Sequence, residues 1–167
     1  MIDSPTGKFE MPHHMPSTLP EVLQSVVNEI ARQTPAASGD WRTRQSENEF
    51  ELIIPKLSDE GFDIQIIADP NEVTVFSEHV AHQHFTSDGN HAQVCRDAMG
   101  LVRDLLSPRM RLRVIEMSGK PVRAYLEIFR NGNWQSETTT TLLHFPFFKK
   151  QTEKVYLNRR LPVRENQ

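Results

Sequence analysis

EFELIIPKLSDEGFDIQIIADPNEVTVF, residues 49 to 76, alternates apolar and polar side chains with the two-residue period of β-strands. The SDEG and ADPN segments between the apolar runs supply turn residues. The stretch therefore predicts an antiparallel meander of three strands, with a fourth strand following if the next segment is also extended. The apolar positions of the first two runs are Phe50, Leu52, Ile54, Phe62, Ile64 and Ile66.

A helix is predicted on either side of this meander. The first begins at Thr18, a capping residue, with Pro20 in the first turn and Glu21 at the capping-box position. Pro35 ends it, and the polar run at 36–48 is predicted to bridge to the strands. Its apolar stripe consists of Leu19, Val22, Leu23, Val26, Val27 and Ile30.

The second helix is predicted from about Asn90 to Leu106, with Ser87, Asp88 or Asn90 as its cap. Its inner side carries Val94, Cys95, Ala98, Leu101, Val102 and Leu105. Because Cys95 lies on that side, we expect a buried, inert thiol and not a nucleophile.

Strands return after Pro108. In RMRLRVIEM, arginines alternate with apolar residues, and a three-residue Ser118-Gly119-Lys120 loop leads into VRAYLEIFR. The hydrophobic pattern then places Leu112 opposite Leu126 in the core, with Arg111 opposite Glu127 and Arg113 facing Tyr125 on the outside. This predicted register rests on the hydrophobic pattern alone.

The clearest local signal follows at Asn131-Gly132, which favours a type I′ hairpin turn because both residues tolerate positive φ. The polar segment at 134–142 is predicted to be an exposed or edge strand, whose register the pattern does not define. HFPFF predicts a corner at Pro146, and EKVYLN predicts one last strand.

The predicted class is α+β: a single domain of two helices packed on antiparallel sheet, in the order α-βββ(β)-α-ββββ. We predict a flexible arm at 1–17, the domain at 18–162 and a tail at 163–167. The element order is similar to that of the bacterial secretion chaperones, which are small, dimeric and cytoplasmic, although no motif is shared and the closing helix of that family has no counterpart.

Composition indicates a cytoplasmic protein without a membrane span. The chain has 167 residues and one cysteine, no signal-peptide pattern, and no run near the roughly 20 apolar residues that a span requires.

Charge is unevenly distributed along the chain: residues 1–100 hold 6 Lys+Arg and 16 Asp+Glu, whereas residues 101–167 hold 13 Lys+Arg and 6 Asp+Glu. Net charges of −10 and +7 predict a charged protein partner, self-association, or two halves of one domain that face each other.

The segment EHVAHQHF, residues 78 to 85, concentrates three histidines. On a strand, His82 and His84 point to one face about 7 Å apart at Cα, and His79 points to the other. Such a pair can chelate a metal ion, but histidines on a connecting strand are more often solvated or hydrogen-bonded. His82, His84 and Asp88 resemble a fragment of the cupin signature, with Asp where cupins usually have Glu and without the glycine expected next. Candidate further ligands are Asp88, Glu78, His91 and His144.

Basic residues form the other candidate site. Arg109, Arg111 and Arg113 lie along one predicted strand face, where they can bind phosphates or carboxylates or be neutralised by Glu127. Aromatic and basic residues also interleave around Lys149 and Lys150, as in nucleic-acid modules, but a sequence pI of about 6.2 disfavours a polyanionic partner.

Three functions are compatible with the sequence. We rank a non-catalytic protein-interaction module, chaperone-like or adaptor-like, first. An anionic-ligand or nucleic-acid binder using the basic carboxyl-terminal half comes second, and a metal-dependent or His-based enzyme at His82 and His84 third. The chain has no Gly-rich phosphate loop, GxSxG elbow or HExxH helix, so we expect no cofactor and assign no catalytic residue.

Overall fold

A computed structural model describes residues 18–33, 39–78, 80–86, 89–141 and 150–158 of the chain. The predicted arm (1–17), tail (163–167) and HFPFF corner lie outside these residues. In chain order the elements are α1 (Leu19–Gln33), β1 (Arg42–Gln45), β2 (Phe50–Ile54), β3 (Ile64–Ala68), β4 (Glu72–Ser77), β5 (Ala81–Thr86), α2 (His91–Leu105), β6 (Met110–Met117), β7 (Lys120–Arg130), β8 (Asn133–Thr141) and β9 (Gln151–Tyr156).

The strands form two antiparallel sheets, which confirms the α+β class. Sheet A is a five-stranded meander in the order β1-β2-β3-β4-β5, and sheet B has four strands in the order β8-β7-β6-β9. Both helices pack on the inner face of sheet A, α1 against β2 and β3 and α2 against β4 and β5, and α2 also contacts β6 of sheet B. Buried apolar side chains from both helices and both sheets join in one core. None of the described helices is long and apolar enough to cross a membrane.

Both helix starts follow the predicted capping chemistry. The backbone N–H of Thr18 donates to Oε2 of Glu21 at 2.9 Å, which is the reciprocal half of a capping box. The side chain of Asn90, one of the three candidate caps of α2, accepts from the N–H of Gln93 at 3.1 Å. Each cap satisfies an N–H group that the helix itself leaves without a partner.

Strand β1 corrects the prediction that residues 36–48 only bridge to the strands. Its four residues pair with β2, from Arg42 opposite Ile53 to Gln45 opposite Phe50. All four side chains are exposed, so the strand carries no alternation of apolar and polar residues. The strand is formed by backbone hydrogen bonds to β2, and the hydrophobic pattern of a sequence does not reveal such bonds.

The β6–β7 connection corrects a second prediction. Met117 pairs with Lys120, so the turn contains only Ser118 and Gly119, both at positive φ, and not the three predicted residues. A β-bulge beside Ile115 inserts one extra residue into β7 and restores the predicted pairing of Leu112 with Leu126. The predicted turn was one residue too long, whereas the predicted pairing of the core residues of β6 and β7 is confirmed.

The end of the described chain ties sheet B to sheet A. Beyond β9, the side chain of Asn158 accepts from the N–H of Phe62 at 3.0 Å and donates to the carbonyl of Phe62 at 2.8 Å. Asn158 is 1% exposed, and a Cβ added at the neighbouring Gly61 would lie 2.5 Å from its Oδ1. A glycine is therefore required where the loop before β3 meets this amide.

Candidate functional site

Within the described residues, the outer face of sheet B carries a dense group of charged and aromatic side chains. Leu112, Val114, Ala124 and Leu126 point into the core, so the alternate residues of β6 and β7 point outward. We call the outward set the arginine–aromatic face; it consists of Arg111, Arg113, Tyr125, Phe129 and Trp134, with Glu127 between the two arginines.

Glu127 holds both arginines. Its Oε2 accepts from Nε of Arg111 and its Oε1 accepts from Nε of Arg113, each at 2.7 Å. The carboxylate side chain is 6% exposed and each arginine side chain 22% exposed. Nη1 of Arg113 also lies 3.5 Å from Oε2 of Glu153 in β9. Burial lowers the pKa of Arg113, but its hydrogen bond to Glu127 and both carboxylates raise it, with a net upward shift that keeps the guanidinium charged.

Each of these guanidinium groups stacks on an aromatic ring. Cζ of Arg111 lies 4.2 Å from the ring centroid of Trp134, and Cζ of Arg113 lies 4.1 Å from that of Tyr125. The rings of Phe129 and Trp134 meet at 5.2 Å between centroids. Phe129 remains 45% exposed. The result is a continuous apolar and cationic surface whose side chains hold each other in place.

Of the other predicted basic residues, Arg109 lies next to this face and Lys150 lies away from it. Arg109 precedes β6, and its carbonyl accepts from the N–H of Phe129 at 2.8 Å, while its side chain is exposed. Lys150 is exposed just before β9, whose first residue pairs with Met117 at the opposite end of β6 from Arg111. Lys149 lies outside the described residues.

Sequence reasoning paired the arginines with Glu127 and Tyr125 but missed Phe129 and Trp134. The signal was present in the predicted Asn131-Gly132 turn, which the structure confirms with both residues at positive φ. A two-residue turn pairs the positions that flank it, and one step further it places Phe129 opposite Trp134. The predicted edge strand is β8, at the end of sheet B.

The histidine pair lies on the outer face of sheet A, on edge strand β5. The rings of His82 and His84 meet at 5.0 Å between centroids, and Phe76 of β4 lies 5.7 Å from the ring of His82. Nδ1 of His84 lies 3.0 Å from Oε1 of Glu72 and 3.1 Å from Oγ1 of Thr74. Asp88, the predicted third ligand, lies outside the described residues, and within them no group of three His, Cys, Asp or Glu side chains is placed to hold a metal ion.

An open hollow of about 240 Å³ lies beside the histidines on the same face. Its two carboxylates already accept from backbone amides: Oδ1 of Asp63 from Lys56 at 2.8 Å, and Oε2 of Glu78 from Asp63 at 2.9 Å. The first bond holds the Asp63 side chain against the β2–β3 loop, and the second holds the Glu78 side chain, at the end of β4, against the backbone just before β3. The hollow is lined by Arg42, Ile53, Asp63, Gln65, Phe76 and Glu78.

Cys95 does not belong to any surface site. It is fully buried on the inner side of α2, and its thiol lies 3.9 Å from the carbonyl of Leu19 in α1. Burial raises the pKa of the thiol to about 11, opposed by the nearby charge of Arg96. A protonated, enclosed thiol is a poor nucleophile, as the sequence predicted.

Comparisons with known proteins return no match: no family, no curated protein and no solved structure is similar to this chain.

Proposed function

We propose that this chain is a non-catalytic protein-interaction module that binds a partner protein on the arginine–aromatic face. The observation that carries the proposal is the half-exposed Phe129 beside Trp134, flanked by two arginines stacked on rings. Aromatic residues and arginine are enriched at protein interfaces, and tryptophan, tyrosine and arginine supply most of the binding energy there. Val155 of β9, 38% exposed and paired with Arg113, extends the apolar area.

Preorganisation supports this role. Binding costs about 0.5–1.5 kcal/mol for each long side chain that becomes ordered. Glu127, Trp134 and Tyr125 already order Arg111 and Arg113, so this part of the cost is met in the unbound chain. Each guanidinium donates to Glu127 through Nε and keeps further N–H groups, which suit a partner carboxylate.

Charge favours an acidic partner surface. Sheet B belongs to the carboxyl-terminal region, residues 101–167, which carries a net charge of +7. Complementary charge accelerates association and excludes basic competitors. We therefore assign an acidic protein surface with apolar residues at its centre as the partner chemistry.

The same geometry ranks a nucleic-acid partner lower. A base that stacks on Trp134 or Tyr125 would have to displace the guanidinium group that already covers that ring. A protein surface needs no such exchange, because it can pack on the exposed edge formed by Phe129 and Trp134.

Site-specific photo-crosslinking in the native host tests the proposal. A photoreactive phenylalanine analogue replaces Phe129 in one variant and Leu57 in a matched control, since both side chains are 45% exposed and Leu57 lies in the β2–β3 loop of sheet A. We expect a discrete protein adduct from position 129 only. When the crosslinking is repeated in a lysate of the host cells, the adduct yield should fall at about 0.5 M salt, where the Debye length shrinks to a few ångströms.

Each outcome decides the question. A protease-sensitive adduct at 129, whether with another protein or with a second copy at twice the mass of the chain, supports the proposal. A nuclease-sensitive adduct would replace it with nucleic-acid binding. Equal adducts at 129 and 57, or none at 129, would overturn it.

A further inference from the structure

The histidine pair lies on sheet A, whereas the arginine–aromatic face belongs to sheet B. We propose that His82 and His84 form a two-imidazole surface site for a divalent transition-metal ion of the Ni²⁺ and Cu²⁺ class.

Ring spacing is the first argument. With metal–nitrogen distances of about 2.0–2.1 Å, two imidazoles on one ion have centroids about 5 Å apart. The rings of His82 and His84 are 5.0 Å apart. Both residues point to the same face of β5 because they lie two positions apart on one strand.

Glu72 supplies the second argument, because it selects the tautomer of His84. Its carboxylate oxygen can only accept, so Nδ1 of His84, 3.0 Å away, carries the proton. In the neutral ring the lone pair then belongs to Nε2. Oγ1 of Thr74 lies 3.1 Å from the same carboxylate oxygen and fixes its position. A carboxylate behind a ligating histidine is the usual arrangement at metal sites.

Exposure and ligand type define which ions bind. The side chain of His84 is 50% exposed, so an ion reaches it without any rearrangement of the core. Two neutral nitrogen ligands favour Cu²⁺ and Ni²⁺ in the Irving–Williams order, whereas Mg²⁺ prefers oxygen ligands.

Calorimetric titration of the full chain with NiCl₂ tests the site. The background is a His13→Asn, His14→Asn variant, because adjacent imidazoles in the sequence bind the same ions. Replacing His82 or His84 by Asn should each weaken Ni²⁺ binding at least about tenfold, the scale seen for losing even a supporting residue. His91→Asn, at the start of α2, tests another of the candidate ligands: the two-imidazole site predicts an affinity within about twofold of the parent, and MgCl₂ should give no binding heat.

Glu72→Ala tests the positioning role separately. We expect it to weaken Ni²⁺ binding about tenfold, with Glu72→Gln, which retains an acceptor, weakening it less. Ni²⁺ should also broaden the imidazole NMR signals of His82 and His84 before that of His91. Both histidine side chains are exposed, so their Asn variants should keep the melting temperature of the parent. If either Asn variant at 82 or 84 binds Ni²⁺ as the parent does, the two-imidazole site is refuted.

Discussion

Glu127 is the residue whose replacement tests the packing of sheet B most directly. It accepts two charged hydrogen bonds at 2.7 Å from a side chain that is only 6% exposed. In Glu127→Gln the amide has one accepting oxygen, so it can satisfy Arg111 or Arg113 but not both. The second Nε–H then faces an NH₂ group, and two guanidinium groups lose their shared counter-ion.

The size of the effect follows from these contacts. A hydrogen bond to a charged group contributes about 1.5–3 kcal/mol, and removing one partner of a buried ion pair costs about 3–5 kcal/mol. Both arginines are 22% exposed and stay partly hydrated, which reduces the loss. We expect the free energy of unfolding to fall by about 2–3 kcal/mol, or the melting temperature by about 5–10 °C.

Urea unfolding followed by far-ultraviolet circular dichroism measures this difference, and an unchanged slope shows that the unfolded state is comparable. Glu137→Gln is the matched control, because Glu137 makes a 2.9 Å ion pair with Arg130 in the same sheet at 40% and 56% side-chain exposure. Such a pair contributes less than about 1 kcal/mol. Equal losses in the two variants would refute the reasoning that burial makes Glu127 essential.

Three further predictions concern the core, the sheet junction and the hairpin turn. Burial raises the pKa of Cys95 to about 11 in the folded chain, so the thiol ionises at lower pH in the unfolded chain than in the folded one. Relative to Cys95→Ala, the wild-type chain should therefore lose about 2–3 kcal/mol of its free energy of unfolding as the pH rises from about 9 to 11. The same dependence of stability on pH in both proteins would contradict this. Asn158→Ala leaves both backbone groups of Phe62 without their buried partner and should cost about 2–3 kcal/mol in urea unfolding, whereas exposed Asn133→Ala should cost almost nothing. Gly132→Ala should cost about 1 kcal/mol, since φ there is +80°; no loss of stability would show that the turn relaxes.

The sequence predicted the structure correctly where the alternation of apolar and polar residues allows only one strand register. The β6–β7 pairing of Leu112 with Leu126 was correct even though the turn is one residue shorter than expected. A register slip by one residue would turn every apolar side chain of the strand to solvent, so the core selected the register and a bulge absorbed the difference.

Prediction failed where the stabilising partner is distant or the strand has no apolar face. Strand β1 is exposed at all four positions, and its pairing with β2 supplies the order that its sequence does not show. The contact of His84 with Glu72 joins residues on two strands of sheet A and required the β4–β5 register.

By itself, the sequence determined the α+β class, the two capped helices, the hairpin turn at Asn131-Gly132 and the buried position of Cys95, because each depends on periodicity or backbone preference within a few residues. Only the tertiary structure decided that Phe129 and Trp134 join Arg111 and Arg113 on one face, and that Glu72 supports His84. Those groupings arise when separate strands pair at a definite register, and that register is set by the shared core and not by the residues that come together on the surface.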